Sequence, residues 1–555
     1  MKPTRRIVLF ISAITAVLLL GMVLQEKGKI TLTKDMIAHA EKLFGLQFNE
    51  AKRDSMLESL QEQLGNYEAM RKIKLDNSVA PALQFNPIPV GFKIDQDKKS
   101  FKPARLDNVI PPPALEDLAY YSVSELAWLI KNKKVTSELL TKMFLDRLRR
   151  YGPKLENVIT ITEGLAIKQA RKADAEIAQG KYRGPLHGIP YGVKDLLATV
   201  GYKTTWGSVP YKEQLIDEDA TVVRRLEEAG AVLVAKLTMG ELAWGDVWYG
   251  GKTRNPWDTT RGSSGSSAGS ASAVSAGLLP FAIGTETWGS IVSPSTECGT
   301  SGLRPTYGRV SRYGAMALSW SMDKIGPIAR SAEDCALIFN AMYGPDGLDK
   351  TLVDAAFNYD ASLKISNLRI GYLKSDMDRD STRKAYYDTT LAVLRKLGAK
   401  LTPIQLPQYP VYDMAIILSA EAGAAFDELT RSGKDDQLVR QIKNAWPTVF
   451  RASRFIPAVE YIQANRIRTQ LIQDMQSLMD TIDVYIAPPF EGDNLILTNL
   501  TGHPCVVVPN GFTERNLPTS VCFMGKLFGE AEILALAKQY QDATDYHKRH
   551  PGLRF

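Results

Sequence analysis

GSSGSSAGSASAVSAG, residues 262 to 277, runs into LLPFAIGTETWGSIVSPS, residues 278 to 295, and the reading of this stretch decides the fold. Glycine, serine and alanine at such density ordinarily mark a flexible linker. Here NPWD, residues 255 to 258, and an apolar run bracket the block, and its alanines and glycines suit a tightly packed helix start. In GTETWGS, residues 284 to 290, the glycines allow backbone conformations that aim successive N–H groups into one pocket. Such a nest can hold the oxyanion that develops in acyl transfer, where one donor is worth roughly 3 to 4 kcal/mol. A serine closing the turn presents its hydroxyl beside those donors, although a lone GxS is more often a plain turn before a strand.

A serine hydroxyl is a weak nucleophile and needs a base within hydrogen-bond reach. Neither the turn nor the small-residue block contains histidine, which leaves lysine as the candidate. Upstream, GIPYGVKD, residues 188 to 195, sets Lys194 after an apolar turn made of Gly188, Ile189, Pro190, Tyr191 and Val193. A lysine titrates at about 10.4, and bringing it to about 7 or 8 costs roughly 3 to 5 kcal/mol and requires burial or a cationic neighbour. In isolation Lys194 would read as a solvated surface charge. Together with two spaced serines it suggests cleavage of acyl bonds without a histidine.

Composition sets the outer limits. The 555 residues amount to about three to four typical domains, a soft prior because large α/β enzymes often form one unit. With 45% apolar and 23% charged residues, a large globular core is available. The formal charge of +7 comes from 68 basic and 61 acidic residues spread along the chain, so nucleic acid is not an expected partner. His39, His187, His503, His547 and His550 show no metal-ligand spacing, and Cys298, Cys335, Cys505 and Cys522 include no CxxC pair. Neither a metal nor a cofactor is expected. Cys298 and Cys505 read as buried small hydrophobes.

Residues 7 to 24, IVLFISAITAVLLLGMVL, form an uncharged run of 18 preceded by Lys2, Arg5 and Arg6. A spanning helix needs roughly 17 to 25 residues, and the positive flank predicts a cytoplasmic N-terminus with an exported body. A cleaved signal peptide competes, but its apolar region is shorter, about 7 to 15 residues, and no A-x-A-like site follows Leu24. The expectation is therefore a membrane-anchored protein with its body on the extracytoplasmic side, or a secreted one if the segment is cleaved.

The chain divides into a signal anchor over residues 1–30, a helical extension over 31–80, a proline-rich strap over 81–115 and a catalytic body over 116–555. Within the extension two amphipathic helices are predicted between residues 34 and 75, the second capped by Asn49 and carrying Met56, Leu60, Leu64 and Tyr67. Pro81, Pro87, Pro89, Pro103 and Pro111 to Pro113 disfavour helix and central strand in the strap, which is either a free linker or wrapped over the body. In the body, SVSE and TSEL open two helices with cap-like starts. Val158 to Thr162 is a candidate strand, Ala220 to Ala229 a helix stopped by Gly230, and AVLVAKL a buried strand after it. Short apolar runs recur at Leu368 to Leu373 and Val484 to Ile486, and the alternation is that of an α/β protein.

Jointly these residues resemble the amidase signature family of serine hydrolases, whose members include bacterial amidases and the A subunit of the tRNA-dependent amidotransferase. The resemblance runs from about residue 116 to the C-terminus through RGPLHGIPYGVKD (183 to 195), NPWD, the Gly/Ser block, CGTSGLRPTYGRVSRYG (298 to 314) and HKRHP (547 to 551). It implies a large mixed β-sheet core covered by helices. It also implies Ser290 as nucleophile, Ser266 as bridging serine in Gly265-Ser266-Ser267, and Lys194 as general base. The backbone N–H groups of Thr287, Trp288, Gly289 and Ser290 fall at the oxyanion hole, with Gly265 and Ser267 supporting the relay.

The chain departs from the family's usual pattern in three places. Where the turn usually reads Asp, Thr, Gly, Gly, Ser, it here reads Glu286, Thr287, Trp288, Gly289, Ser290. The indole of Trp288 either narrows the pocket or turns outward against the strap. The arginine usual two residues after the nucleophile is Val292, so Glu286 must find another cation or stay solvated, because an unpaired buried charge is costly. The segment between Pro489 and Gly502 is short, and residues 345 to 450 match the family poorly; those regions usually shape specificity.

The function implied is an amidase cleaving a carboxamide C–N bond through an acyl-enzyme, with a small-molecule or peptide-like amide as substrate and self-association left open. The alternative is the A subunit of an amidotransferase, which an exported body would argue against. A non-catalytic amidase-like binding protein is the third reading, prompted by Trp288 and Val292.

Overall fold

The alanines, serines and glycines of the 262–277 block form a helix, Ala268–Ser275, in which every side chain is buried. Small side chains let it press against its neighbours. A Cβ on Gly269 would stand 2.5 Å from both the Asn157 carbonyl oxygen and the Thr238 backbone nitrogen. The block is therefore core and not linker.

The computed structural model describes residues 30–553. Its strands in chain order are β1 Val158–Ile161, β2 Pro190–Lys194, β3 Val232–Leu237, β4 Val247–Trp248, β5 Gly251–Lys252, β6 Arg254–Asn255, β7 Asp258–Gly262 and β8 Phe281–Glu286. There follow β9 Ser301–Arg304, β10 Lys324–Ala329, β11 Ile370–Tyr372, β12 Leu401–Pro403, β13 Val484–Ala487, β14 Cys505–Phe512 and β15 Pro518–Gly525. Eleven of them make one mixed sheet in the order β1-β3-β2-β8-β10-β9-β14-β15-β13-β11-β12. The pairs β4-β5 and β6-β7 are separate hairpins.

In β2, β3, β8 and β10 every residue is buried, the pattern of strands covered on both faces. Strands β2 and β8 pair in parallel with Tyr191 opposite Phe281 and Val193 opposite Ile283. That register brings the ends of both strands, Lys194 and Glu286, to the same edge of the sheet. Strand β8 then pairs antiparallel with β10, and β10 with β9.

Local sequence accounts for the flanking helices. Ser122 and Glu125 form a capping box at Val123–Lys131, and Thr136 caps Ser137–Leu155. The predicted helix-turn-strand unit is Thr221–Glu228 followed by β3, with Gly230 at φ +85° between them. The runs at 368–373 and 484–486 carry β11 and β13. All four cysteines are buried and unpaired.

The chain forms two compact units, one up to Asp76 and one from Asn77 onward. In the first, Thr33 caps Lys34–Leu43 and Asn49 caps Glu50–Met70, and Arg53 donates to Glu41 at 3.0 and 2.9 Å. The predicted apolar run 7–24 lies outside the described residues. Among the described residues no helix is long and apolar enough to cross a membrane; Glu50–Met70 has the length but carries charge along it.

The strap belongs to the second unit and is wrapped over it. Lys102 N donates to Tyr359 O at 3.0 Å, Ala361 N to Lys102 O at 2.9 Å and Ala104 N to Glu333 Oε1 at 2.7 Å. Phe101 stacks on Tyr359 with ring centres 5.2 Å apart.

Candidate active site

Lys194 ends β2 with its side chain fully buried, and it meets the loop that leads into Ala268–Ser275. Its Nζ donates to Ser266 Oγ at 2.8 Å, to Thr285 Oγ1 at 2.8 Å and to Ser267 Oγ at 3.3 Å. Ser266 Oγ in turn donates to Ser290 Oγ at 2.9 Å. The peptide bond between Gly265 and Ser266 is cis. Lys194, Ser266 and Ser290, far apart in sequence, thus form one continuous hydrogen-bonded chain. Ser267 braces it, donating to Thr285 O and accepting from Thr285 N, each at 3.0 Å.

Burial pushes the Lys194 ammonium down to about 7, against the opposing pull of the Asp323 and Glu286 carboxylates. Near neutral pH a substantial fraction of Lys194 is an amine with a free lone pair. Hydroxyl hydrogens rotate to suit their partners. With a neutral amine, the chain can therefore run from Ser290 through Ser266 to nitrogen.

The turn that leads to Ser290 is held by Glu286 at the end of β8. Its Oε2 accepts from Ile291 N and Val292 N, both at 2.9 Å, and its Oε1 accepts from Arg304 at 2.8 Å and Asn499 Nδ2 at 2.9 Å. Glu286 and Arg304 are both fully buried. The cation that Glu286 needs in place of residue 292 therefore comes from β9, and Val292 is a core residue. Burial alone would raise the Glu286 carboxyl, but Arg304, the Val292 N–H and Asn499 outweigh it and hold the group at about 2.

After Glu286 the backbone turns through Thr287, Trp288 and Gly289, the last at φ +88°, where a side chain would be strained. Among the described residues no carbonyl accepts from the N–H groups of Thr287, Trp288, Gly289 or Ser290. Thr287 Oγ1 donates to Asp323 Oδ1 at 2.6 Å, which ties the start of the turn to the loop before β10. The Trp288 indole turns outward, 36% exposed, and tilts against Tyr412 with ring centres 6.0 Å apart.

Sequence reasoning missed Thr285, Asp323, Arg304 and Asn499. Thr285 lies within the GTETWGS turn and Arg304 within the GLRP run, but no spacing rule links either to its partner.

The amidase family model matches residues 139–534. The chain belongs to the amidase signature family and is an amidase signature enzyme. The A subunit of the glutamyl-tRNA(Gln) amidotransferase of Coxiella burnetii is 35% identical, over 78% of this chain and 99% of that protein. The peptide amidase from Stenotrophomonas maltophilia superposes with a TM-score of 0.71 at 29% identity, over 79% of this chain and 100% of that one. An amidase family protein from Bacillus anthracis gives a TM-score of 0.69 at 30% identity, over 79% and 93%.

These relatives correct the expected location. The expected membrane anchor with an extracytoplasmic body finds no support in relatives that are amidotransferase A subunits matched over nearly their whole length. The objection that export raised against the amidotransferase reading lapses with it.

Proposed function

We propose that the chain hydrolyses a carboxamide to a carboxylate and ammonia or an amine. The observation that carries this reading is the hydrogen-bonded chain from Lys194 through Ser266 to Ser290, at 2.8 and 2.9 Å, with its lysine depressed to about 7. In this reading Ser290 attacks the amide carbon as its proton passes to Ser266 and a proton from Ser266 passes to Lys194. The N–H groups of Thr287, Trp288, Gly289 and Ser290 receive the oxyanion. The relay returns a proton to the departing nitrogen, and water then cleaves the acyl-enzyme. The catalytic domain is residues 116–555, preceded by the strap over 81–115 and the helical extension over 31–80. The substrate is a small-molecule or peptide-like amide.

Ammonia release from simple amides, together with labelling of Ser290 by a fluorophosphonate, tests the reading. Failure of both with folded protein would favour an amidase-like binder. The likeness to the A subunits of amidotransferases supports a second reading, glutamine-dependent amide transfer. Glutamine hydrolysis that appears only with a tRNA-binding partner would select it.

The base must be neutral to act, so kcat/KM is expected to rise with pH through about 7 and level off above it. A pH-rate profile flat from about 5.5 to 9 would remove Lys194 as the base.

A further inference from the structure

A cavity of about 830 Å³ lies beside the relay. Thr285, which accepts from Lys194, and Thr287, which begins the nucleophile turn, are part of its lining. Another part of its lining is the start of the strap and the residues leading into it, between Asn77 and Asn86, ahead of the segment matched to the family. This roof is fastened: Asn77 Oδ1 accepts from Ala317 N at 2.7 Å and its Nδ2 donates to Ala317 O at 2.9 Å. Phe85 lies against the Arg468 guanidinium at 3.5 Å and edge-on to Tyr307 at 5.1 Å.

The buried charges on the lining are already engaged. Glu421 accepts from Ser319 Oγ, Ser321 N, Ser321 Oγ and Tyr461 OH. Arg468 donates to Leu500 O and to Ser321, and Arg312 pairs with Asp349 at 3.0 Å. Asp323 accepts from Thr287, Leu318 N and Ser319 N. The exposed cations Lys350 and Arg466 also line the cavity, solvated at its rim. Lys324, also buried on the lining, donates to Met322 O, and burial holds its ammonium well below the usual lysine range, so a charged group entering the cavity would lose its hydration without gaining a settled counter-charge. The lining also carries apolar side chains left in water, Leu83 at 82% and Ile462 at 56% exposed.

We infer that the strap is a substrate-recognition element: with Leu83, Phe85 and Ile462 it makes this cavity a site for an uncharged amide carrying a bulky apolar group. The inference rests on the hydrolytic reading for its reaction but not for its binding. Its volume is that of a site for a small organic molecule, and burying an apolar group against Leu83 and Ile462 is driven by the release of water from both surfaces. Glutamine, charged at both ends of its backbone, is a poor occupant.

The test uses the full chain and the primary amides from acetamide to octanamide. kcat/KM for octanamide is expected to exceed that for acetamide by about a hundredfold or more. In the double variant Leu83→Glu/Ile462→Glu, both changes at exposed positions, that ratio is expected to fall at least about tenfold. Calorimetry on Ser290→Ala is expected to show octanamide binding that weakens when the two glutamates are added. Equal kcat/KM along the series, or a ratio unmoved in the double variant, would overturn the inference while leaving hydrolysis intact. No turnover of any amide, with octanamide binding that still depends on Leu83 and Ile462, would overturn the hydrolytic reading and leave the cavity assignment standing. Absence of both turnover and binding would overturn both.

Discussion

Replacing Ser290 with alanine is expected to lower kcat on a good amide substrate by about 10⁴-fold or more, and replacing Lys194 with methionine to lower it nearly as far. The double variant is expected to lose little beyond either single one. Residues that act as one relay are strongly non-additive, because once the nucleophile is gone the base has no proton to draw. The geometry makes Ser266 the only hydroxyl that bridges the two among the described residues, at 2.8 Å from Lys194 Nζ and 2.9 Å from Ser290 Oγ. Steady-state kinetics on the singles and the double decide the point, with circular dichroism checking the fold. If the two losses multiplied, Lys194 and Ser290 would be acting independently and the relay would be wrong. The fluorophosphonate provides a second readout: labelling should vanish in Ser290→Ala and slow in Lys194→Met, because the same base activates the same oxygen.

The parts of this site that were legible in the sequence are those carried by short motifs. Lys194, Ser266 and Ser290 were legible through the family resemblance that their runs carry, since a lone lysine or serine there reads as a surface charge or a plain turn. Arg304 and Asn499 were not legible as partners of Glu286, because strand order brings them there: β10 lies between β8 and β9, and Asn499 comes from the helix Asn494–Thr501. No local periodicity encodes that order. The helix Ala268–Ser275 shows the opposite difficulty, since Gly/Ser density ordinarily marks a linker, and it took the apolar flanks together with the packing-sized alanines and glycines to point to core. The outward turn of Trp288 depended on Tyr412, a residue in a segment with no family motif to place it.

Replacing Glu286 with glutamine is expected to cost about 3 to 5 kcal/mol of stability and to lower kcat as well, although the side chain keeps its size. All four partners of this carboxylate are donors: Ile291 N, Val292 N, Arg304 and Asn499. Glutamine brings one oxygen and one NH₂, so whichever way it lies, its NH₂ faces two donors. If the oxygen stays with Ile291 and Val292, the buried Arg304 loses its carboxylate. If it turns to Arg304, the backbone beyond Ser290 loses its anchor and the N–H groups proposed to receive the oxyanion lose their fixed direction. The same logic sets a pH dependence. The Glu286 carboxyl is held at about 2 in the folded protein against 4.5 ordinarily, so its stabilisation is fully present above about 4.5 and lost as pH falls toward about 2. Urea unfolding at pH 7 should show the loss in Glu286→Gln, and the gap from the wild type should narrow as the buffer is acidified through that window. Adding Arg304→Met is expected to recover part of the stability, because removing both charges leaves neither one buried alone. A double variant as unstable as the sum of the two singles would mean that Glu286 and Arg304 are not coupled, and that the turn is held by something other than this pair.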